Sequence, residues 1–486
     1  MEPVNARFSG DVPVVDAVEA ASFVGTNATM AVSGFGSVGY PKAVPREIRD
    51  AAEDYGLTVI SGGSLGAEID TDLVEAGAID RRFPYQAQAA SRNAINDGRI
   101  HFHDRHVSPL ADEVAFGQYG TVDVAVVEAV AVGPDWLVPS TALGPTPAYV
   151  AAAERLIVEV NEAQPLGLQA LHDVYRPSSP PHRDPIPLTD PGGRIGGAKI
   201  RFEPEKLAAV VRTEAPDSPY EFRDPTGPDL SIADNLVEFL YAELERNPVL
   251  AESVALQFGV GSLGNALMGA FESVDFGDRD VVYFGEVMQD GLLDMLDAGN
   301  LEAASAASLA LSTEGQERLF DDIDRYKESV VLRPSDISNS PELIRRFGVV
   351  AVNSGLEVDV YGHVNSTHLN GSHVVNGIGG SGDFIRNAHL SVVTLQSTAA
   401  GGDISRIVPM VPHVDHTEHD VSIVVTEQGV ADLRGLDPRE RAETLVEHCA
   451  HPEYRPDLRA YLDRAAATGG HIPHDLETAL SWHADR

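Results

Sequence analysis

Short β-branched apolar runs alternate with longer amphipathic stretches through the first 160 residues. Thr29–Val32, Leu57–Ile60, Val122–Val127 and Arg155–Val160 predict strands, and Lys42–Tyr55 and Tyr85–Asp97 predict helices. Apolar runs this short, bounded by turn residues, suit buried strands better than helices. The alternation predicts βα units around a parallel sheet. Proline- and glycine-rich stretches at Arg176–Gly193 and Ala215–Pro228 interrupt the pattern. It then restarts with a predicted helix over Asp234–Glu245. Predicted strands follow at Val254–Phe258, Val281–Phe284, Val349–Ala351, Val358–Tyr361, Ser391–Leu395 and Val421–Thr426. The simplest architecture for 486 residues is two α/β domains, 1–220 and 221–486, joined near residue 220.

Three glycine fingerprints of the form G-x-G-x-x-G fall within this pattern: Gly34–Gly39, Gly259–Gly264 and Gly377–Gly382. Glycines there let backbone N–H groups approach an anion, and a following helix adds its positive end. The second fingerprint lies between a predicted strand and a predicted helix. Glu286 follows it by 22 residues, at the end of the next strand. That spacing fits the ribose-binding acid of a dinucleotide fold. It fits a catalytic carboxylate, or an acid with no chemistry, equally well. The pattern alone leaves a nicotinamide dehydrogenase open.

Charge narrows the partners. The chain has 74 acidic residues against 35 basic ones, a net −39, and a single cysteine, Cys449. Only Lys42, Lys199, Lys206 and Lys327 are lysines. A field this negative disfavours nucleic acid and anionic membranes. Dispersed acid with scarce lysine resembles proteins of salt-accumulating halophiles, where molar salt screens charge within about 3 Å. One cysteine excludes an intramolecular disulfide and multi-cysteine metal sites. The N-terminus lacks a basic segment followed by an apolar one, and no apolar run is long enough to span a bilayer, so a cytoplasmic enzyme is expected. A homodimer is the default expectation.

Longer segments carry more information than the glycines. They read GFGSVGYPKAVP at Gly34–Pro45, GVGSLGNAL at Gly259–Leu267 and EVMQDGLLDMLDAG at Glu286–Gly299. SNSPE at Ser338–Glu342, NGIGGSGDFIRN at Asn376–Asn387, the stretch Ile407–Leu433 and CAHPEYRP at Cys449–Pro456 follow in order. Together they resemble the acetyl-CoA hydrolase/transferase family, in particular its succinyl-CoA:acetate CoA-transferase type, a class I CoA transferase. The resemblance implies two CoA-transferase-type (NagB/RpiA-like) α/β domains with the active site between them. It implies CoA transfer between a short acyl-CoA (acetyl-, succinyl-, propionyl- or butyryl-CoA) and a short carboxylic acid. Coenzyme A is then a substrate, and no tightly bound cofactor or metal is expected. Hydrolysis of acetyl-CoA by the same glutamate is the alternative, and an NAD(P)-dependent dehydrogenase the more distant one.

In that family Glu286 matches the nucleophile, which forms an acyl-glutamyl anhydride and then a glutamyl-CoA thioester. Gly380, with Gly379, matches an oxyanion-hole loop, and Gly34–Gly39 matches a loop bringing a second donor from the other domain. Gly259, Val260, Gly261, Ser262, Leu263 and Asn339 match positions near CoA. For Asn339, capping a helix that starts at Pro341 is the competing role. Glu68 resembles a cleft glutamate. A lysine common in the family after Ser397-Thr398-Ala399 is missing here, and Arg406 is its possible replacement. Three further sites compete. His413, His416 and His419 resemble a metal cluster, but prolines before them and a strand after them oppose the helix that would align them. Glu427 ends another predicted strand. Ser33, Ser37 and Ser262 lack the adjacent histidine that a nucleophilic serine needs.

Overall fold

The computed structural model describes residues 4–51, 54–218, 223–272 and 274–483. The chain forms two compact units, Met1–Glu221 with Val282–Leu343, and Phe222–Val281 with Ile344–Arg486. The expected junction near residue 220 falls among residues 219–222, outside the described part. Both units are α/β. Among the described residues no helix is long and apolar enough to cross a membrane.

The first unit is built on a nine-stranded sheet. Thr29–Val32 and Leu57–Ile60 form within their expected bounds and pair in parallel. Val124–Gly133 is the buried central strand, parallel to both Thr29–Val32 and Arg155–Asn161. Strands at Ile79–Phe83, His101–Phe102, Trp136–Pro139, Ile200–Arg201 and Leu207–Thr213 complete the sheet. Apolar residues fill both faces: Val32, Val59 and Val126 belong to one core, Ala31, Ile60 and Val127 to another. This is the near-continuous apolarity that a sheet covered on both sides requires.

The helix expected over Lys42–Tyr55 is shorter, Ala43–Asp50. Its start is fixed from a distance. The Glu159 carboxylate accepts the N–H groups of Lys42, Ala43 and Val44 at 2.7, 3.0 and 2.6 Å. A buried carboxylate thus satisfies the donors that open a helix.

Val282–Leu343 falls within the first unit. Strands at Ala303–Ala306 and Val330–Leu332 extend the parallel arrangement begun by Asp280–Phe284. Backbone bonds tie them to the N-terminal segment: Leu332 N–H donates to Leu171, and Asp173 N–H to Leu332. The fully buried Arg333 guanidinium pairs with Asp173 and donates to Ser305 Oγ at 2.7 Å.

The second unit carries Ser253–Phe258, Val350–Ser354, Leu390–Thr394 and Ile423–Thr426 as successive parallel strands, with Gly429–Asp432 antiparallel at the end. The long helix Gly227–Arg246 opens on a Thr226/Asp229 capping box. Its Glu243 carboxylate accepts from Arg434 Nη2 at 2.7 Å and Asn247 Nδ2 at 3.1 Å, and pairs with Arg246. Burial alone would raise the Glu243 pKa; the bonds from Arg434, Arg246 and Asn247 outweigh it and hold it down to about 2. A folded-state pKa below the unfolded value gives stability that is complete above about 4.5 and lost as pH falls toward about 2. Glu243→Gln is therefore expected to lower stability at neutral pH and to flatten the acid limb of a melting-temperature profile. An unchanged limb between pH 5 and 2 would show that the cluster contributes nothing.

Candidate functional site

Glu286 follows the strand Asp280–Phe284 in a tight bend and is half-buried. Its backbone carbonyl accepts two N–H groups, from Ala307 at 2.7 Å and Ser308 at 3.1 Å. The side chain is held separately: Asn339 Nδ2 donates to Glu286 Oε1 at 2.8 Å. Asn339 is fully buried, and its Oδ1 accepts from Ser338 Oγ at 2.9 Å, which orients the amide with its NH2 toward the glutamate. Asn339 is the C-cap of the helix Ser335–Ser338.

The bend closes through a ring of backbone bonds. Ala307 accepts from Leu143 and Gly144, Ser335 N–H donates to Gly144, and Asn339 N–H donates to Ser335. Segments far apart in sequence thus converge on one carboxylate. The bend itself requires Gly285. Tyr283 folds its ring across it and donates from its hydroxyl to the Val287 carbonyl at 3.0 Å. A Cβ on Gly285 would lie 2.4 Å from that hydroxyl oxygen. Burial and the nearby Glu286 charge push the Tyr283 phenol up, so it stays a donor at any working pH. Gly285→Ala is expected to displace Tyr283 and cut turnover at least ~10-fold, by misplacing the carboxylate. Wild-type kcat with a soluble, folded variant would refute this account of the bend.

The Gly34–Gly39 loop rests against the same bend. Gly36 and Ser37, both with positive φ, form a two-residue turn between Phe35 and Val38. A Cβ on Gly36 would lie 3.4 Å from Ala310 Cβ, 3.6 Å from Ser308 Oγ and 3.7 Å from Val287 Cγ1. Loop and glutamate both fall within the first unit. Its base is fixed by the Asp217 carboxylate, which accepts Gly39 N–H at 3.2 Å and Lys42 Nζ at 2.9 Å.

The remaining predicted residues lie in the second unit. Gly259 ends Ser253–Phe258, with its N–H on the Val352 carbonyl at 2.8 Å. Gly261, at φ 142°, precedes the helix Ser262–Phe271. Val260 is exposed, 44%, and Leu263 half-buried; the Ser262 side chain lies outside the described part. Gly379 has positive φ, and the buried Gly380 precedes the helix Ser381–Asn387. The strand–glycine–helix context expected at Gly259–Gly264 is present, while Glu286 belongs by packing to the first unit.

Residues 12–212 match the acetyl-CoA hydrolase/transferase N-terminal domain and 315–462 the C-terminal domain. The chain is 44% identical over 476 residues to a succinyl-CoA:acetate CoA-transferase of Clostridium kluyveri, covering 97% of this chain and 88% of that one. The chain belongs to the acetyl-CoA hydrolase/transferase family. It is also 40% identical over 483 residues to an acetyl-CoA hydrolase of Candida glabrata, covering 93% and 90% of the two chains. The fold is shared with RipA from Yersinia pestis (TM-score 0.71, 22% identity, 93% of this chain and 97% of that one). It is shared too with a 4-hydroxybutyrate CoA-transferase from Porphyromonas gingivalis (TM-score 0.63, 21% identity, the same coverage).

Within this family member the competing acids are committed elsewhere. Glu68 accepts from Tyr40 Oη at 2.8 Å and Arg46 Nη2 at 2.7 Å. Glu427 accepts the Ser397 N–H at 2.8 Å and the Ser397 hydroxyl. His413 pairs with Asp415 at 3.1 Å, His419 is 82% exposed, and His416 is fully buried, so the three imidazoles diverge. Among the described residues no three such groups converge as metal ligands. Arg406 is half-buried; burial holds its pKa below the usual guanidinium value, against the nearby Glu357, Glu427 and Asp229 charges. Ser33 accepts Glu128 N–H and donates to Gly39, and Ser37 donates to Leu65, both structural roles. Cys449 is buried, and burial pushes its thiol up to about 12.

Proposed function

We propose that this enzyme transfers CoA between a short acyl-CoA and a short carboxylic acid, with Glu286 as the nucleophile. The reading is carried by one observation: a half-buried carboxylate whose backbone is clamped and whose side chain accepts from the oriented amide of Asn339. The carboxylate attacks the thioester carbonyl and the C–S bond breaks, giving a glutamyl anhydride and CoA thiolate. The thiolate then attacks the glutamyl carbonyl. The first carboxylic acid leaves as carboxylate, and CoA is carried as a glutamyl thioester. The second acid reverses both steps. No proton is gained or lost, and every intermediate stays activated.

Each attack creates an oxyanion. Gly380, with Gly379 in its turn, and the Gly34–Gly39 loop are the proposed sources of N–H donors, each worth about 3 kcal/mol by analogy with measured oxyanion holes. Gly259, Val260, Gly261, Ser262 and Leu263 are the proposed CoA contacts, as an exposed glycine turn opening a helix suits an anionic ligand. The deciding experiment mixes enzyme with acyl-CoA and borohydride and reads intact mass and peptides; reduction of a glutamyl thioester would leave an alcohol at Glu286. A modification elsewhere, or none, ends this assignment.

Hydrolysis remains the second reading, supported by similarity to the Candida glabrata hydrolase. Labelled acetyl-CoA separates the two: transfer requires CoA release to depend on added acetate or succinate, and release indifferent to both means hydrolysis. The net charge of −39 also leads us to expect that activity and stability rise toward molar KCl, where screening removes self-repulsion. Full activity and an unchanged melting temperature in dilute buffer would contradict this.

A further inference from the structure

In the first sheet, Thr58, Arg81 and His101 lie side by side in parallel register. Successive residues of a strand face opposite sides. The neighbouring arginines of Ile79–Phe83 show the consequence. Arg82 is fully buried, with Nε 2.8 Å from Asp70 Oδ1 and Nη1 2.8 Å from Ser61 Oγ. Arg81 faces the other way and is exposed. Among the described residues its guanidinium has neither an ion-pair nor a hydrogen-bond partner, in a chain with more than twice as many acids as bases.

A cavity of about 490 Å³ opens on this face, lined by Thr58, Arg81, Phe83, His103 and Arg105 and by Gln118 and Tyr119. Its size falls within the ~300–1,000 Å³ of small-molecule sites. Arg105 is braced from behind. Glu113 accepts from its Nε at 3.3 Å and pairs with Nη2, while the Tyr119 hydroxyl donates to the same carboxylate. Arg105 Nη1 takes no partner among the described residues. Phe83, His103 and Tyr119 stack into one wall, with ring centroids 4.8 to 6.0 Å apart. Burial and the Arg105 charge hold the His103 pKa below its usual value.

We propose that this cavity binds a small doubly charged oxyanion, of dicarboxylate or phosphate chemistry, between the Arg81 and Arg105 guanidiniums. Forked guanidiniums bind planar or tetrahedral oxyanions through paired N–H groups, a geometry that a spherical chloride does not exploit. Two guanidiniums on one cavity wall match the two charges of a dianion, and this local attraction has to outweigh the repulsive field of the whole chain. None of the lining residues takes part in the contacts described at Glu286.

The test titrates the full-length enzyme calorimetrically with succinate and, separately, inorganic phosphate, at ionic strength fixed with KCl. Acetate serves as the monoanion control. The expected result is saturable binding of at least one dianion, weakened at least 10-fold by Arg81→Ala, with acetate inert at this site. The arm that responds identifies the ligand chemistry. Acyl-transfer turnover measured without added dianion is expected to be unchanged in Arg81→Ala. Absence of saturable binding in the wild type overturns the proposal. So does binding of equal strength in Arg81→Ala, which would place succinate at the catalytic glutamate instead, or an effect that KCl reproduces at matched ionic strength.

Discussion

Glu286→Ala is expected to reduce acyl transfer by about 10⁴- to 10⁶-fold, the range seen when an enzyme loses its nucleophile, while the protein stays folded. The bend that presents the residue is held through the Glu286 carbonyl, by Ala307 and Ser308, and through Tyr283 on Val287. None of these bonds uses the carboxylate. The substitution removes the acceptor of the Asn339 hydrogen bond. Leaving that buried amide without its acceptor costs about 1–3 kcal/mol, a modest share of the stability of a chain this long. Glu286→Asp is the sharper variant. It keeps the charge but withdraws the carboxylate by one methylene from an amide now 2.8 Å away, so turnover should fall far more than melting temperature. Steady-state kinetics with thermal unfolding of both variants reads this directly. Near-normal turnover in Glu286→Ala would move the chemistry to another residue.

The second large effect is expected at Lys42. This lysine is 1% exposed, and its Nζ lies 2.6 Å from Glu128 Oε2 and 2.9 Å from both Asp217 Oδ1 and the Tyr40 carbonyl. It is one cation among three buried carboxylates, since Glu159 caps the helix that begins beside it. Burial pushes Glu128 up to about 7, against the opposing Lys42 charge. Removing one partner of such a cluster typically costs ~3–5 kcal/mol, because the remaining charges are left uncompensated. That is a large part of the ~5–15 kcal/mol by which domains are stable, so Lys42→Ala should be strongly destabilised. The sign with pH follows. A carboxylate whose folded pKa exceeds its unfolded value binds more protons when folded, so stability falls as pH rises from about 4.5 through 7. Lys42→Ala should steepen that fall, and adding Glu128→Gln should reverse part of it. Urea unfolding at pH 5 and pH 8 measures both, and a stability loss independent of pH would contradict the electrostatic account.

Much of the fold was legible because many of its strands are apolar runs between glycines and polar turns, as at Thr29–Val32 and Leu57–Ile60. Ile79–Phe83 was missed because two of its residues are arginines. Arg82 is satisfied by Asp70, Ser61 and the carbonyls of Gly63 and Phe83, and Arg81 is exposed at an open cavity. Such compensation is tertiary and leaves no local signal. At the site, ordered motifs pointed to Glu286, but its support was out of reach of pattern reading. Asn339 is 53 residues away, and SNSPE reads locally as a helix start, not as a donor to a distant carboxylate.

The discontinuity of the first unit has a consequence for biosynthesis. The ribosome delivers Met1–Glu221 first and Val282–Leu343 only after an intervening segment of the other unit. At ~5–20 residues per second, the 122 residues between positions 221 and 343 take about 6–24 s to make. Through that interval the nascent first unit lacks the partners of Leu143, Gly144, Leu171 and Asp173, whose backbone bonds run to the later segment. Glu286 arrives with the piece that closes the unit, so the proposed nucleophile and the completed architecture around it emerge together.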